Sequence, residues 1–137
     1  MPLKTKTKYP SVMIIDDDQI DIFMNQKLME DIEFSRTIYT HTSAKSGLEF
    51  YKSLTRMANL PQELFPSVIF LDMNMPFMDG NQFLAAFETL DRRTASLVQI
   101  VLLTSSTNPI DLEKANSSKY VIRILNKPLT REHLDSI

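Results

Sequence analysis

Residues 12–21 read VMIIDDDQID: four apolar residues, Val12 to Ile15, run straight into three carboxylates, Asp16, Asp17 and Asp18. Adjacent like charges repel, so such a run is stable only where water, a helix N-terminus or a cation takes up the charge. The apolar part lacks alternation, which is the pattern of a strand covered on both faces. The fold therefore turns on whether similar runs recur along the chain, and on the residue types at the end of each run.

They do recur. Thr37 to Tyr39, Val68 to Leu71, Ile100 to Leu103 and Val121 to Leu125 read as further strands, rich in β-branched residues. Helical spacing fills the gaps. Ile20, Phe23, Met24 and Leu28 predict one apolar stripe on a first helix from about Gln19 to Asp31. Ala44, Leu48 and Tyr51 predict a second, and Phe83, Phe87 and Leu90 a third. Start signals agree: Asp18 for the first helix, Ser43 for the second, Asp79 for the third, Asn108 with Pro109 for the fourth and Thr130 for a short fifth. Arg92 and Arg93 follow the third helix, where positive charge suits a C-terminus.

The order is (βα)5, an α/β chain with a mainly parallel five-stranded sheet, right-handed crossovers and helices on both faces. Residues 1–10 read as a polar leader and 11–137 as one domain, with a two-proline loop at 58–66. The bulk numbers suit this. A chain of 137 residues, 43% hydrophobic, supports one ordinary core. A net charge of -2, from 15 basic and 17 acidic residues spread along the chain, provides no basic stripe for direct nucleic-acid binding. The absence of cysteine excludes disulfides and thiolate metal sites. No apolar run approaches the roughly 18 residues of a membrane span, so the reading is a soluble cytoplasmic protein. The only glycines are Gly47 and Gly80, which rules out a glycine-rich phosphate cradle.

In an open parallel sheet, ligands gather outside the carboxyl ends of the strands. The first strand ends in Asp16 and Asp17, the third in Asp72, the fourth in Thr104 and the fifth in Lys127. Carboxylates converging from two strands, without nitrogen or sulfur ligands, suit Mg2+, with Mn2+ possible. A hydroxyl and an ammonium complete the parts of a phosphoryl-transfer site, in which a carboxylate can serve as nucleophile. Met73, Met75 and Met78 read as packing around the site loop, and His41 and His133 as surface residues.

With IIDD after the first strand, LDMNMPFMDG around the third, LLTSS after the fourth and NKP after the fifth, the chain resembles a response-regulator receiver domain (CheY-like) of two-component signalling. The resemblance runs from about Ser11 to the C-terminus. It implies the flavodoxin-like strand order 2-1-3-4-5. It also implies that Asp72 is the phosphoacceptor, taking a phosphoryl group from phosphohistidine on a sensor histidine kinase or a histidine phosphotransfer protein. Mg2+ would be held by Asp16, Asp17, Asp72 and the backbone carbonyl of Asn74. Thr104 would hydrogen-bond the phosphoryl group, Lys127 would pair with it, and the bond before Pro128 would be cis. Signalling would pass through the fourth helix, fifth strand and fifth helix to a separate output protein, or to a further part of a longer chain, since ten residues follow Lys127. Such a chain is a phosphoacceptor signalling domain, not a turnover enzyme. One departure stands out: where many receivers carry an aromatic residue three positions before the lysine, this chain has Ile124.

Two alternatives compete. Asp16, Asp18 and Ile20 form an Asp-x-Asp-x-aliphatic pattern similar to haloacid-dehalogenase-like phosphatases, in which Asp16 would be the nucleophile. Against it stand the lack of an acidic motif after Lys127 beyond Glu132 and Asp135, and the lack of room for a cap domain. The other alternative is a receiver-like binding module that works without phosphorylation.

Overall fold

The computed structural model describes residues 7–95, 97–105 and 108–137. Five strands alternate with helices: β1 Tyr9–Ile15, α1 Gln19–Asp31, β2 Ser35–His41, α2 Ala44–Thr55, β3 Val68–Asp72, α3 Gly80–Glu88, α4 Arg92–Ala95, β4 Gln99–Thr104, α5 Pro109–Asn116, β5 Val121–Asn126 and α6 Arg131–Asp135. A single 3-10 turn, Gln62–Leu64, lies in the predicted loop before β3. Every strand pair is parallel and the order is β2-β1-β3-β4-β5. The expected architecture and strand order are both present.

Residues alternate across the sheet and build two apolar layers. Met13, Ile15, Ile69, Leu71, Ile100 and Leu102 pack with Leu48 and Tyr51 of α2 and Phe83 and Phe87 of α3. Val12, Ile14, Val68, Phe70, Val101 and Leu103 pack with Ile22 and Met29 of α1 and Leu134 of α6. This double cover is why the central strands read as continuous apolar runs. Gly47 permits the close approach of α2 to β1, because a Cβ there would lie 2.4 Å from Ile15 Cδ1.

Four expectations are corrected. Three of the four residues of the stripe predicted on α1 face outward, Ile20 73% exposed, Phe23 65% and Met24 61%, and only Leu28 packs against the core, while the buried residues are Ile22, Asn25 and Met29. Only residues 16–18 join β1 to α1, so this short connection and its cap set which face of the helix meets the sheet. Helix α3 ends at Glu88, leaving Leu90 beyond it, although Leu90 still packs on the core. Arg92 and Arg93 belong to a separate turn of helix, α4, in which Asp91 Oδ1 accepts from Thr94 N at 2.8 Å. Because of α4, the fourth and fifth predicted helices are α5 and α6 here. Strand β1 opens at Tyr9, so Tyr9 and Pro10 belong to the sheet and not to a leader, with the Tyr9 ring 5.4 Å from that of Phe34. The remainder of that leader, residues 1–6, lies outside the described residues.

Candidate functional site

The strand order reverses at β1, which pairs with β2 on one side and β3 on the other. Asp16 follows β1 and Asp72 ends β3, so both stand at the crevice this reversal opens. In the register Asp72 sits opposite Leu103 and Thr104 opposite Asn126, which brings Thr104 and Lys127 to the same rim.

The three successive aspartates divide the work. Asp18 caps α1, its carboxylate accepting from Ile20 N at 2.8 Å and Asp21 N at 3.3 Å. Asp16 is buried and its Oδ1 accepts from Asp18 N at 2.9 Å. Asp17 is exposed. One carboxylate oxygen each from Asp16, Asp17 and Asp72 lie within 4.8 Å of one another. The charge of the aspartate run is thus taken up in three ways: a helix N-terminus accommodates Asp18, the Lys127 ammonium meets Asp16 at 3.0 Å, and solvent reaches the exposed Asp17.

A closed loop carries Asp72. Its Oδ1 accepts from Asn74 N at 3.1 Å, Met73 N donates to Leu103 O at 2.9 Å, and Gly80 N returns to Met73 O at 2.9 Å. A Cβ on Gly80 would lie 2.9 Å from Met73 Cα, so this closure requires glycine. Met73 and Met75 are buried beneath the loop, as packing residues should be, while Phe77 is fully exposed at φ 69°. Thr104 is buried, with its hydroxyl 3.5 Å from Asn74 Oδ1.

Lys127 closes the pocket. Its Nζ lies 3.0 Å from Asp16 Oδ2, 3.4 Å from Asp72 Oδ1 and 3.0 Å from Asp21 Oδ2. Its backbone N donates to Thr104 O at 2.9 Å, and the Lys127–Pro128 peptide is cis. Sequence reasoning misses Asp21. A signal exists, since Asp21 is an acidic residue in the first turn of α1, three positions after the capping Asp18 and so close to the carboxyl end of β1.

Burial pushes the Asp72 carboxyl up to about 7, against the Asn74 N–H and the Lys127 ammonium, with Asp16 adding to the push. Burial alone would lower Lys127, but hydrogen bonds to Asp21 and Asp16 outweigh it and hold the ammonium above its ordinary range. One ammonium faces Asp16, Asp21 and Asp72, with Asp17 close by, so the pocket carries excess negative charge. An all-oxygen donor set with that excess fits a hard divalent cation.

A model of the response regulator receiver domain matches residues 12–137. The chain belongs to the response-regulator receiver domain family. Among solved structures, a two-component response regulator from Cytophaga hutchinsonii is 28% identical with a TM-score of 0.82, covering 96% of this chain and 94% of that one. A response regulator receiver protein from Dyadobacter fermentans DSM 18053 matches the fold at TM-score 0.76 and 24% identity, covering 92% of each chain. The chain is also 26% identical to the probable methanogenesis regulatory protein FilR2 of Methanothrix harundinacea (strain 6Ac), over 90% of this chain and 75% of that protein. As a receiver domain, it is a signalling module of response regulators. The phosphatase alternative fails on geometry as well, because the second aspartate of its motif, Asp18, is committed to capping α1. Among the described residues, no helix is long and apolar enough to cross a membrane.

Proposed function

We propose that this receiver accepts a phosphoryl group on Asp72 from phosphohistidine of a sensor histidine kinase or histidine phosphotransfer protein, in a cytoplasmic two-component phosphorelay. The observation that carries this reading is the buried Asp72 carboxylate, held beside Lys127 at 3.4 Å and within 4.8 Å of the Asp16 and Asp17 oxygens. The Asp72 oxygen attacks phosphorus, the phosphorus–nitrogen bond breaks with its electron pair going to the imidazole, and an acyl phosphate forms. Asp16, Asp17, Asp72 and the Asn74 carbonyl would hold Mg2+, which supplies positive charge against the incoming phosphoryl oxygens.

The chain's own groups do the rest. The Asn74 N–H fixes the orientation of the Asp72 carboxylate. Lys127 supplies an ammonium to a phosphoryl oxygen, and Thr104 a hydroxyl. Thr104 is joined through its carbonyl to Lys127 N, so a shift of either moves the β4 and β5 ends together. The face formed by α5, β5 and α6 would transmit that shift to a separate output protein. In place of an aromatic switch residue, Ile124 stands half-buried on β5. Tyr120, four residues earlier, packs its ring edge-on against Phe87 at 5.3 Å. Around the rim, exposed Ile20, Phe23 and Met24 of α1 and Phe77 of the site loop offer apolar surface for the protein that presents the phosphohistidine. The chain is an acceptor, not a turnover enzyme.

The test is mass spectrometry after treatment with acetyl phosphate and Mg2+. We expect one phosphoryl group on Asp72 and none in Asp72→Asn. A label on Asp16, or labelling that survives in Asp72→Asn, overturns the proposal. No label on the wild-type protein favours the phosphorylation-independent module.

A further inference from the structure

We infer that Asp21 is a positioning residue for Lys127, an inference that rests on the acceptor function proposed above. An ammonium has three N–H donors, and here it donates to Asp16 and Asp21 at 3.0 Å each, with Asp72 Oδ1 in ion-pair range at 3.4 Å. Asp16 and Asp72 also belong to the oxygen group suited to a divalent cation, and Asp21 does not. A cation drawing on Asp16 and Asp72 takes their charge and repels the ammonium beside them. Asp21 is then the carboxylate left to hold Lys127 at the rim, within reach of the phosphoryl group.

The surroundings favour this division. Asp21 is placed by the first turn of α1, where its own N–H is bonded to the capping carboxylate of Asp18 at 3.3 Å. It reaches Lys127 across the short gap between α1 and the segment after β5, and both share a groove walled by Met24, Leu28, Pro128 and Leu129. Apolar walls on this side limit water to the open rim, where the Asp21 side chain is 39% exposed, and so favour the charged hydrogen bond. Asp21 thus splits the acidic pocket into a half that holds the cation and a half that holds the ammonium. Without Asp21, Lys127 falls back on Asp16 and Asp72 and competes with the cation for them.

The experiment compares the wild-type chain with Asp21→Ala and Asp21→Asn, which have the same charge but differ in offering Lys127 an acceptor oxygen. Mg2+ affinity is read without phosphodonor, from amide chemical shifts, and the rate of Asp72 labelling by acetyl phosphate is read at saturating Mg2+. Asp21→Ala should weaken Mg2+ about 3- to 10-fold and slow labelling about tenfold, the scale of one charge-assisted hydrogen bond. Asp21→Asn should recover labelling to within about threefold of wild type, because a neutral acceptor still anchors the ammonium. In a Lys127→Ala background the two substitutions should give equal Mg2+ affinities. If Asp21→Ala matches wild type in both readouts, Asp21 has no role at the site. If Asp21→Ala and Asp21→Asn behave alike with Lys127 present, Asp21 acts through charge alone, and positioning is overturned. Unchanged amide shifts in α3 and β4 confirm that both variants are folded. Should the wild-type chain take no label, the acceptor function fails while the Mg2+ comparison still judges Asp21.

Discussion

Helices α1 and α3 flank the same crevice and read alike in the sequence, each with apolar residues at helical spacing, yet they use them in opposite ways. Helix α3 buries Phe83, Leu84 and Phe87. Helix α1 buries Ile22, Asn25 and Met29 and leaves Ile20, Phe23 and Met24 in solvent. Periodicity identifies a stripe; it does not say whether the stripe meets the core or a partner. In α1 the outward stripe begins beside the acidic pocket, where, under the proposed function, a phosphodonor protein would land.

Substitutions can break or sharpen this contrast. The largest effect belongs to α3: Phe87→Ala removes a ring packed against Tyr51, Phe83 and Tyr120 and should cost about 3–5 kcal/mol by chemical denaturation. A loss below about 1 kcal/mol would show that α3 is no more committed to the core than the outward face of α1.

Next comes the pocket between the two helices. In the cation-free protein Asp72 keeps its proton up to about 7, against 3.8 in the unfolded chain. The folded state therefore holds the extra proton between those values. Stability is greatest below the unfolded value, falls as pH rises toward about 7, and then levels. Asp16, Asp17 and Lys127 face this group, the acids opposing ionisation and the ammonium favouring it. Asp72→Asn should thus stabilise the cation-free protein by about 2 kcal/mol at pH 8 and by almost nothing at pH 4, water at the open rim screening part of the shift. Mg2+ should stabilise the wild-type protein more at pH 8 than at pH 5. Melting curves that are flat with pH in the wild type would refute this.

The outward stripe gives a smaller, more selective effect. Phe23→Ala should change stability by less than about 0.5 kcal/mol and leave labelling by acetyl phosphate intact. Transfer from a phosphohistidine protein should nonetheless slow about tenfold, as for an anchor lost from an interface. Equal slowing with both donors would place Phe23 in the pocket's support and not on a docking face. Smallest is Phe77, a non-glycine residue in the left-handed region. Phe77→Gly should stabilise the fold by about 0.5–1 kcal/mol at most, offset by glycine's greater freedom when unfolded, while slowing transfer from the protein donor.

Much of the site was legible because it is built from strand ends. Asp16, Asp17, Asp72, Thr104 and Lys127 each follow a strand core, and parallel pairing brings all such ends to one rim. Asp21 escaped because it lies on a helix, where position along the chain does not reveal which way a side chain reaches. The turn at α4 escaped because Arg92–Ala95 is too short to show a period. The start of β1 was misplaced because Tyr9 and Pro10 adjoin a basic, polar stretch whose composition masks pairing with β2.

Residue order alone determined the alternation of strands and helices, the helix caps and the residue types that reach the carboxyl edge, because apolar runs, capping oxygens and strand ends are local properties. The tertiary structure decided which face of α1 meets the sheet, and that Asp18 caps while Asp16 and Asp17 join the pocket. It also decided that Lys127 is shared among three carboxylates, Asp21 included. Those outcomes depend on which charges and surfaces lie across a few ångströms of space, and burial and Coulomb energy respond to that distance and not to separation along the chain.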